Sequence, residues 1–427
     1  MSSWEEAHWE PTVANVPRRE RRSGPYRRFV PATLVGAPLA LSAPTDALLA
    51  TAEASVRRVS RSSRDLAGIA RFLLRSEAIA SSKIEGIAPA AGKVALAELG
   101  QGDEGIRGYS EQARLVANNM TVVRRATGQL IDTDVVTADD VVQLHRALLP
   151  DEPRHHGLRT QQNWIGGSDH HPLEAAFVPP APERVPALME DMCQYLSGAT
   201  HAPLVQAALV HAQFETIHPF TDGNGRVGRA LIHTVLARRG LTDEAVLPIS
   251  LVLATFRDEY IRGLGEYRLL NRPSADETGP GAWVATFARA AIAASEQAER
   301  IATELADLRT QWEQQLDAAR RSGGAKRALR RDSAAARLLA DLPGVPVLTP
   351  RTMQQMYDVS TSAARTALED LAAAGILTER SAGPGVRVHM ADDVLELVTW
   401  AERRLASTEF DTLSAPPARG GVPDPPA

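Results

Sequence analysis

The stretch His218-Pro-Phe-Thr-Asp-Gly-Asn-Gly-Arg-Val-Gly-Arg229 decides how the rest of this sequence is interpreted. It lies between two segments with helical periodicity, predicted at 203–216 and 225–239, so its glycines form a loop that opens onto the second helix. Backbone N–H groups at a helix N-terminus bind anions, and glycines let the anion approach closely. The stretch is therefore predicted to be a phosphate-binding loop.

Four side chains give this loop its chemistry. Arg226 and Arg229 lie three residues apart on the first turn of the second helix and can bind an anion through charge-assisted hydrogen bonds. Asp222 supplies a hard oxygen ligand, which Mg²⁺ requires when it bridges phosphates. His218 stands at the loop entrance, where a neutral imidazole can take a proton from an attacking hydroxyl. Together they predict a nucleotide site with its own general base.

These twelve residues resemble the signature of the Fic family, His-x-Phe-x-Asp/Glu-Gly-Asn-Gly-Arg-x-x-Arg, and match it at every defined position. The resemblance covers about residues 26–290. It implies a mainly α-helical Fic (Fido-fold) bundle with a β-hairpin flap. It also implies transfer of AMP from ATP, with Mg²⁺, to a Ser, Thr or Tyr hydroxyl of a protein, including this chain itself.

The same resemblance assigns roles to the loop residues. His218 is the base that deprotonates the target hydroxyl, and Asp222 is the metal ligand. Nucleotide contacts are assigned to Gly223, Asn224, Gly225, Arg226 and Arg229. The two arginines bind the β- and γ-phosphates, and Phe220 anchors the loop by packing. Outside the loop, Tyr260 is a candidate for lining the adenine pocket.

A β-hairpin is predicted ahead of the loop. Two extended runs, 162–165 and 175–178, flank the turn-rich residues 166–169. By the resemblance this hairpin is a flap that binds the backbone of the target protein by β-augmentation. Its docking residues are Asn163, Trp164, Ile165 and Gly166. The alternative is a purely structural hairpin.

The segment Ser81-Ser-Lys-Ile-Glu85-Gly86 ends a helix predicted at about 64–86 and resembles the inhibitory motif of the family. By the resemblance, Glu85 pairs with Arg229 and occupies the space that the ATP γ-phosphate needs, while Ser81 bonds within the motif. Gly86 stands where a C-cap glycine is typical. The alternative for Glu85 is a surface carboxylate near a helix C-terminus, where the helix dipole disfavours it.

Residues 333–405 are predicted to form a small winged helix-turn-helix, from the order helix, helix, turn, helix, hairpin. Thr361, Ser362 and Arg365 would face the major groove of DNA, and Arg380 and Arg387 would contact phosphates. The alternative is a winged helix used for protein contacts or packing.

A long helix at 286–319 carries an apolar heptad pattern. Its seam consists of Ala291, Ala294, Ala298, Ile301, Leu305, Leu308 and Trp312. Packing on the catalytic domain and a homodimer seam both explain it.

Composition limits the remaining alternatives. The 427 residues carry a formal charge of -5 and one cysteine, Cys193, which excludes an internal disulfide and argues against a wholly basic nucleic-acid-binding surface. The start lacks a signal-peptide pattern and no apolar stretch is long enough to span a bilayer, so we expect a cytoplasmic protein without membrane contact. The expected divisions are a flexible arm at 1–24, a helical region with the inhibitory helix at 25–110, a catalytic core at 111–285, the connecting helix, the winged unit, and a disordered tail at 414–427.

These patterns favour an autoinhibited protein adenylyltransferase. Two alternatives remain open: removal of AMP from modified proteins by the same site, with Glu85 positioning water, and a transcription regulator whose Fic domain senses nucleotide.

Overall fold

The computed structural model describes residues 2–11, 17–63, 68–243, 246–269, 279–324, 329–330 and 332–407, which contain fifteen α-helices and five β-strands. The expected tail at 414–427 lies outside the described residues. The first elements in chain order are β1 (Ser3–Trp9), β2 (Gly24–Val30), α1 (Ala43–Ser63), α2 (Ile69–Ile84), α3 (Ala91–Gly100), α4 (Glu111–Gly128), α5 (Ala138–Leu148), α6 (Val185–Ser197), α7 (Pro203–Ile217) and α8 (Asn224–Arg238). They are followed by α9 (Ile249–Thr255), α10 (Arg257–Tyr267), α11 (Pro280–Ser322), α12 (Ala334–Asp341), β3 (Val347–Leu348), α13 (Pro350–Tyr357), α14 (Thr361–Ala373), β4 (Thr378–Gly383), β5 (Val386–Met390) and α15 (Asp392–Ser407).

The chain divides into two compact units. The first contains residues 1–53, 121–241 and 258–289, and the second contains residues 54–120, 242–257 and 290–427. Segments far apart in the chain pack together in each unit, so the units differ from the linear division expected from the sequence. The mainly α-helical fold itself is confirmed. Among the described residues, no helix combines the length and apolarity needed to cross a membrane.

Helices α7 and α8 form the core of the first unit. They pack against each other, and α6 packs on α7. Every residue of α7 after Pro203 is buried, and so is every residue of α8 before Arg238. A helix buried on all sides needs no polar face, which explains the nearly continuous apolar sequence of α7. Both helices occur where the periodicity predicts them, and the loop between them joins two buried helix ends.

Helix α5 packs against α6 and α8. Its first turn is closed by a capping box, in which the Thr137 hydroxyl accepts from the Asp140 amide and the Asp140 carboxylate accepts from the Thr137 amide. The helix therefore starts at a capping residue, and it carries His145 on its last turn.

The N-terminal residues differ from the flexible arm expected at 1–24. Strand β1 pairs antiparallel with β2, from Ser3 opposite Val30 to Trp9 opposite Gly24. Glu5 in β1 forms a cross-strand ion pair with Arg28 in β2, whose Nε lies 3.2 Å from Glu5 Oε2. Charged residues alternate with Trp4 and Phe29, whose rings meet edge-on at 5.1 Å.

The second unit contains α2, which packs on α9, and a helical group with a small sheet at its C-terminal end. The sheet order is β3-β5-β4 and all pairings are antiparallel. Ser333, Thr349 and Ser360 cap α12, α13 and α14 with their hydroxyls, which explains where these three helices begin. The order of helices and hairpin agrees with the pattern in the sequence, and the winged-helix assignment of 333–405 stays a prediction.

Helix α11 is longer than the predicted 286–319. Six of its seven seam residues are buried in this single chain, and Leu308 is half-buried. Intramolecular packing therefore explains the heptad pattern without a second copy of the chain. Cys193 is also buried, and burial raises the pKa of its thiol to about 12.

Candidate active site

His218 is the C-cap of α7 and adopts a left-handed conformation, with φ 50° and ψ 61°. Its amide still donates to the Phe214 carbonyl oxygen at 2.8 Å, so the helix ends at this residue. A left-handed non-glycine residue costs about 1–2 kcal/mol, which the surrounding contacts must offset. The side chain is 20% exposed, so the imidazole lies at the surface of a buried core.

Asn224 ties the loop to the start of α8. Its Oδ1 accepts from the Phe220 amide and its Nδ2 donates to the Phe220 carbonyl oxygen, both at 2.8 Å. The residue before it, Gly223, has φ 78°, and a Cβ there would lie 2.8 Å from Leu148 Cδ2. Any side chain at this position would therefore clash as well as strain the backbone. Asn224 and Gly223 thus have structural reasons to be present beside their expected nucleotide contacts.

Arg226 and Arg229 are 2% and 1% exposed, although guanidinium groups normally face water. Arg226 Nη2 lies 3.6 Å from Asp222 Oδ1. Buried arginines in the first two turns of α8 add positive charge near the end where the helix dipole is already positive. The site is therefore suited to an anion with several negative charges, such as a polyphosphate.

Asp222 is an exposed residue of the loop, with 53% of its side chain accessible. Its Oδ1 accepts from the Gly223 amide at 2.6 Å. No group of three or more His, Cys, Asp or Glu side chains converges on a metal position in the described parts of the chain. Mg²⁺ usually takes one or two carboxylates together with substrate phosphates and water, and an exposed carboxylate beside an anion site fits that ligand set.

His145, which no sequence motif marks, supports the loop from α5. Its ring stacks on Phe220 with 3.9 Å between centroids, and its Nε2 lies 2.9 Å from the Asp222 carbonyl oxygen. A carbonyl only accepts, so Nε2 carries the hydrogen. Burial lowers the pKa of His145 to about 4, so the ring is neutral near pH 7. Phe220 is fully buried, as expected of a packing anchor.

Arg159, also not predicted from the sequence, contacts the other end of the loop. Its Nε donates to the His218 carbonyl oxygen at 2.9 Å, and its Nη2 donates to the Pro180 carbonyl oxygen at 2.6 Å. The predicted flap residue Asn163 donates from Nδ2 to the same His218 oxygen at 3.2 Å and to the Phe220 oxygen at 3.0 Å. Hydrogen bonds from charged donors contribute about 1.5–3 kcal/mol, enough to offset the strain at His218.

The predicted hairpin is reduced to a single bridge. Ile165 and Phe177 exchange both backbone hydrogen bonds, at 2.8 and 3.2 Å, and a short 3₁₀ turn at Pro172–Glu174 precedes the second predicted run. Trp164 donates from Nε1 to the Ser168 carbonyl oxygen. Gly166 has φ 72°, as its turn position requires. The segment is close to the loop, but most of its length is irregular.

Tyr260 is 4% exposed. Its hydroxyl lies 2.9 Å from His211 Nε2, and its ring is tilted against Trp283 at 6.2 Å. These contacts make it part of the packing around α7. Its role in lining an adenine pocket stays a prediction.

The inhibitory motif belongs to the second unit. Ser81 is buried on α2, and Glu85 is the exposed C-cap of that helix. Gly86 has φ 78°, and the Gly86 and Ile87 amides donate to the Lys83 and Ser82 carbonyl oxygens, which close the helix end as predicted. The pairing of Glu85 with Arg229 stays a prediction.

Comparison with known proteins agrees with this site. Residues 135–236 match the profile of the Fic/DOC family. The chain is 31% identical over 140 residues to the protein adenylyltransferase fic-1 of Caenorhabditis elegans. This match covers 32% of this chain and 26% of that protein. It is 38% identical over 93 residues to a probable protein adenylyltransferase of Aquifex aeolicus (strain VF5). That match covers 22% of this chain and 27% of the Aquifex protein.

The solved structures include a Fic family protein from Desulfovibrio desulfuricans G20 that shares the fold, with a TM-score of 0.51 and 21% identity over 83% of this chain and 97% of that chain. The chain spans about a quarter of the length of the curated relatives described above.

Proposed function

We propose that this chain, which carries a Fic/DOC domain at residues 135–236, is an autoinhibited protein adenylyltransferase that transfers AMP from ATP to a Ser, Thr or Tyr hydroxyl of a protein. The observation that carries the proposal is the complete loop His218–Arg229, in which an accessible imidazole precedes a helix start with two buried arginines. A base beside an anion site is the minimum that phosphoryl-group transfer to a hydroxyl needs.

In this mechanism, the His218 imidazole takes the proton of the target hydroxyl, whose oxygen attacks the α-phosphorus of ATP. A bond forms between that oxygen and phosphorus, the bond to the β-phosphate oxygen breaks, and pyrophosphate leaves with the electron pair. Arg226 and Arg229 bind the leaving phosphates, and the amides at the start of α8 stabilise the developing charge. Asp222 would hold Mg²⁺, which neutralises phosphate charge when bound.

Target binding is proposed for the flap residues Asn163, Trp164, Ile165 and Gly166. Backbone pairing with an extended segment of the target would bring a hydroxyl in line with the α-phosphate with little dependence on its sequence. Because the bridge between Ile165 and Phe177 is an isolated one, the flap has no continuous ladder that a target strand would have to displace. The substrates would include this chain itself.

Autoinhibition is proposed for the motif at the end of α2. The Glu85 carboxylate would pair with Arg229 and exclude the γ-phosphate, because it would occupy the space that this phosphate needs. The position of Glu85 at the C-terminus of α2 supports this, since the helix dipole disfavours a carboxylate there unless it has a specific partner.

The test uses purified chain, Mg²⁺ and ATP labelled at the α-phosphate, with label in protein as the readout. Glu85→Gly is expected to raise self-labelling about tenfold or more over wild type, a usual size for coupling between sites. Glu104→Gly, which removes an exposed carboxylate from the same unit, should leave labelling unchanged. ATP labelled at the γ-phosphate should label nothing, which separates AMP transfer from phosphorylation.

If Glu85→Gly labels itself no better than wild type, the inhibitory assignment is wrong. Loss of label from pre-modified protein in the wild type would instead support removal of AMP.

DNA binding by residues 333–405 is the second candidate, and the order of its helices and hairpin favours it. The two arginines expected at phosphates are engaged, however: Arg380 lies 2.9 Å from Asp392 and Arg387 lies 2.9 Å from Glu379. Their charge is therefore partly neutralised, which weakens the electrostatic attraction to DNA. Salt-dependent, sequence-preferring DNA binding without AMP transfer would support the regulator.

A further inference from the structure

Arg159 has a hydrogen-bonding pattern that no loop motif predicts. Its guanidinium is buried, and its pKa is lowered to about 10 by burial, so it remains charged near pH 7. It donates to four backbone carbonyl oxygens: Gln161 at 3.2 Å, Pro180 at 2.6 Å, Ile217 at 3.3 Å and His218 at 2.9 Å. Its own amide donates to the Pro219 oxygen at 2.8 Å.

These acceptors belong to two different segments. Ile217, His218 and Pro219 form the entrance to the loop, whereas Gln161 and Pro180 flank the flap on both sides. One rigid, planar guanidinium therefore joins the backbone of the proposed base to both ends of the proposed docking segment. Asn163 adds a second link from the flap to the His218 oxygen.

We propose that Arg159 is a positioning residue, a clamp that holds the left-handed backbone of His218 and both ends of the flap as one body. This inference rests on the proposed function and extends it: the clamp sets the distance between the base and a hydroxyl presented by the flap. In-line attack requires that distance to be held within a fraction of an ångström, and a displaced base loses rate before it loses substrate binding.

A purely structural arginine is the competing explanation, and the chain provides a matched control. Arg238 also donates to backbone carbonyl oxygens, of Leu130 at 2.6 Å and of Thr133 at 2.7 Å, in the same unit. These acceptors lie outside both the loop and the flap. Arg159→Ala and Arg238→Ala therefore remove the same chemistry, but only the first affects the proposed site.

The experiment measures AMP transfer to protein in a Glu85→Gly background. Arg159→Ala should lower kcat roughly 100-fold and leave the Kd for ATP within about threefold, because it misplaces the base and not the anion site. Added guanidinium ion should restore part of the rate. Arg238→Ala should lower the melting temperature without lowering kcat.

A second readout does not depend on activity. Hydrogen exchange of the amides at 163–178 and 218–224 should accelerate together in Arg159→Ala, and should stay unchanged in Arg238→Ala. If Arg159→Ala does not fold, Arg159→Lys serves, because an ammonium keeps the charge but cannot span four carbonyls; it should show the same pattern in weaker form.

Three results would overturn the clamp. The first is an unchanged kcat in Arg159→Ala, and the second is a loss of rate that follows the loss of melting temperature equally in both arginine variants. The third is hydrogen exchange that accelerates in only one of the two segments. If Glu85→Gly transfers no AMP at all, the proposed function fails, while the exchange experiment still decides whether the clamp exists.

Discussion

At the residue scale, His218 combines a strained backbone with an accessible imidazole. The strain is stable because Arg159 and Asn163 both donate to its carbonyl oxygen. Strained residues that persist in folded proteins are often found at functional sites, where the surroundings fix a geometry that the chain alone would avoid. The backbone of the proposed base is therefore held in one conformation before any substrate arrives.

We expect His218→Ala to abolish AMP transfer while ATP binding is largely retained. Loss of a general base typically costs roughly 100- to 10,000-fold in rate, whereas the anion contacts come from α8 and its amides. Label transfer from α-labelled ATP and ATP titration by calorimetry would measure the two effects in a Glu85→Gly background. Substantial transfer by His218→Ala would exclude it as the base, and His8→Ala, on the exposed strand β1, is the control.

At the element scale, α5 supports the loop through a single side chain, His145. The stacking on Phe220 and the bond to the Asp222 oxygen hold the ring in a buried position. The lowered pKa follows from that burial, since water no longer stabilises the imidazolium. Protonation of His145 would therefore place a poorly solvated charge in the core and destabilise the fold.

This burial makes folding sensitive to acid. The unfolded chain binds a proton at His145 near pH 6.5, but the folded chain does so only near pH 4. The contribution of His145 to the free energy of unfolding is therefore fully present above pH 6.5. It falls by about 3 kcal/mol as the pH drops towards 4. Urea unfolding at pH 7, 6, 5 and 4 gives the free energy of unfolding at each pH. This free energy should fall less steeply with decreasing pH in His145→Gln than in wild type.

The exposed His170 provides the matched control, and His170→Gln should leave the pH dependence unchanged. If the free energy of unfolding depends on pH equally in His145→Gln and wild type, His145 is not held neutral by the fold.

At the scale of the whole molecule, the burial of the α11 seam favours packing within the chain over dimerisation. Its seam is buried within the chain, and Trp312 at its far end donates from Nε1 to Asp393 at 3.0 Å in the second unit. A seam already covered by its own chain has little apolar surface left for a second copy. The helix is thus an internal support in the second unit.

Ile301→Ala should destabilise the chain by about 2–5 kcal/mol, the usual cost of truncating a fully buried isoleucine. Its molar mass in solution should equal that of the wild type. Thermal unfolding and light scattering measure the two properties, with the exposed Thr303→Ala on the same helix as control. Dissociation of a larger species in Ile301→Ala would instead favour the homodimer seam.

The sequence alone was sufficient for features that depend on neighbours in the chain. The starts of α5, α12 and α14 follow from capping residues, and the loop follows from glycines and arginines at fixed spacing between two periodic segments. These signals are local, because a cap or a turn acts within three or four residues. The family resemblance and the candidate residues of the loop therefore follow from residue type and spacing.

Only the tertiary structure decided the contacts between distant segments. Arg159 reaches oxygens 21, 58 and 59 residues away, and His145 reaches one 77 residues away. Strand β1 is a strand only because β2 pairs with it, although its charged composition suggested a flexible arm. A buried guanidinium, a neutral imidazole and a paired strand depend on the surroundings that the fold creates, and residue type and spacing carry no information about those surroundings.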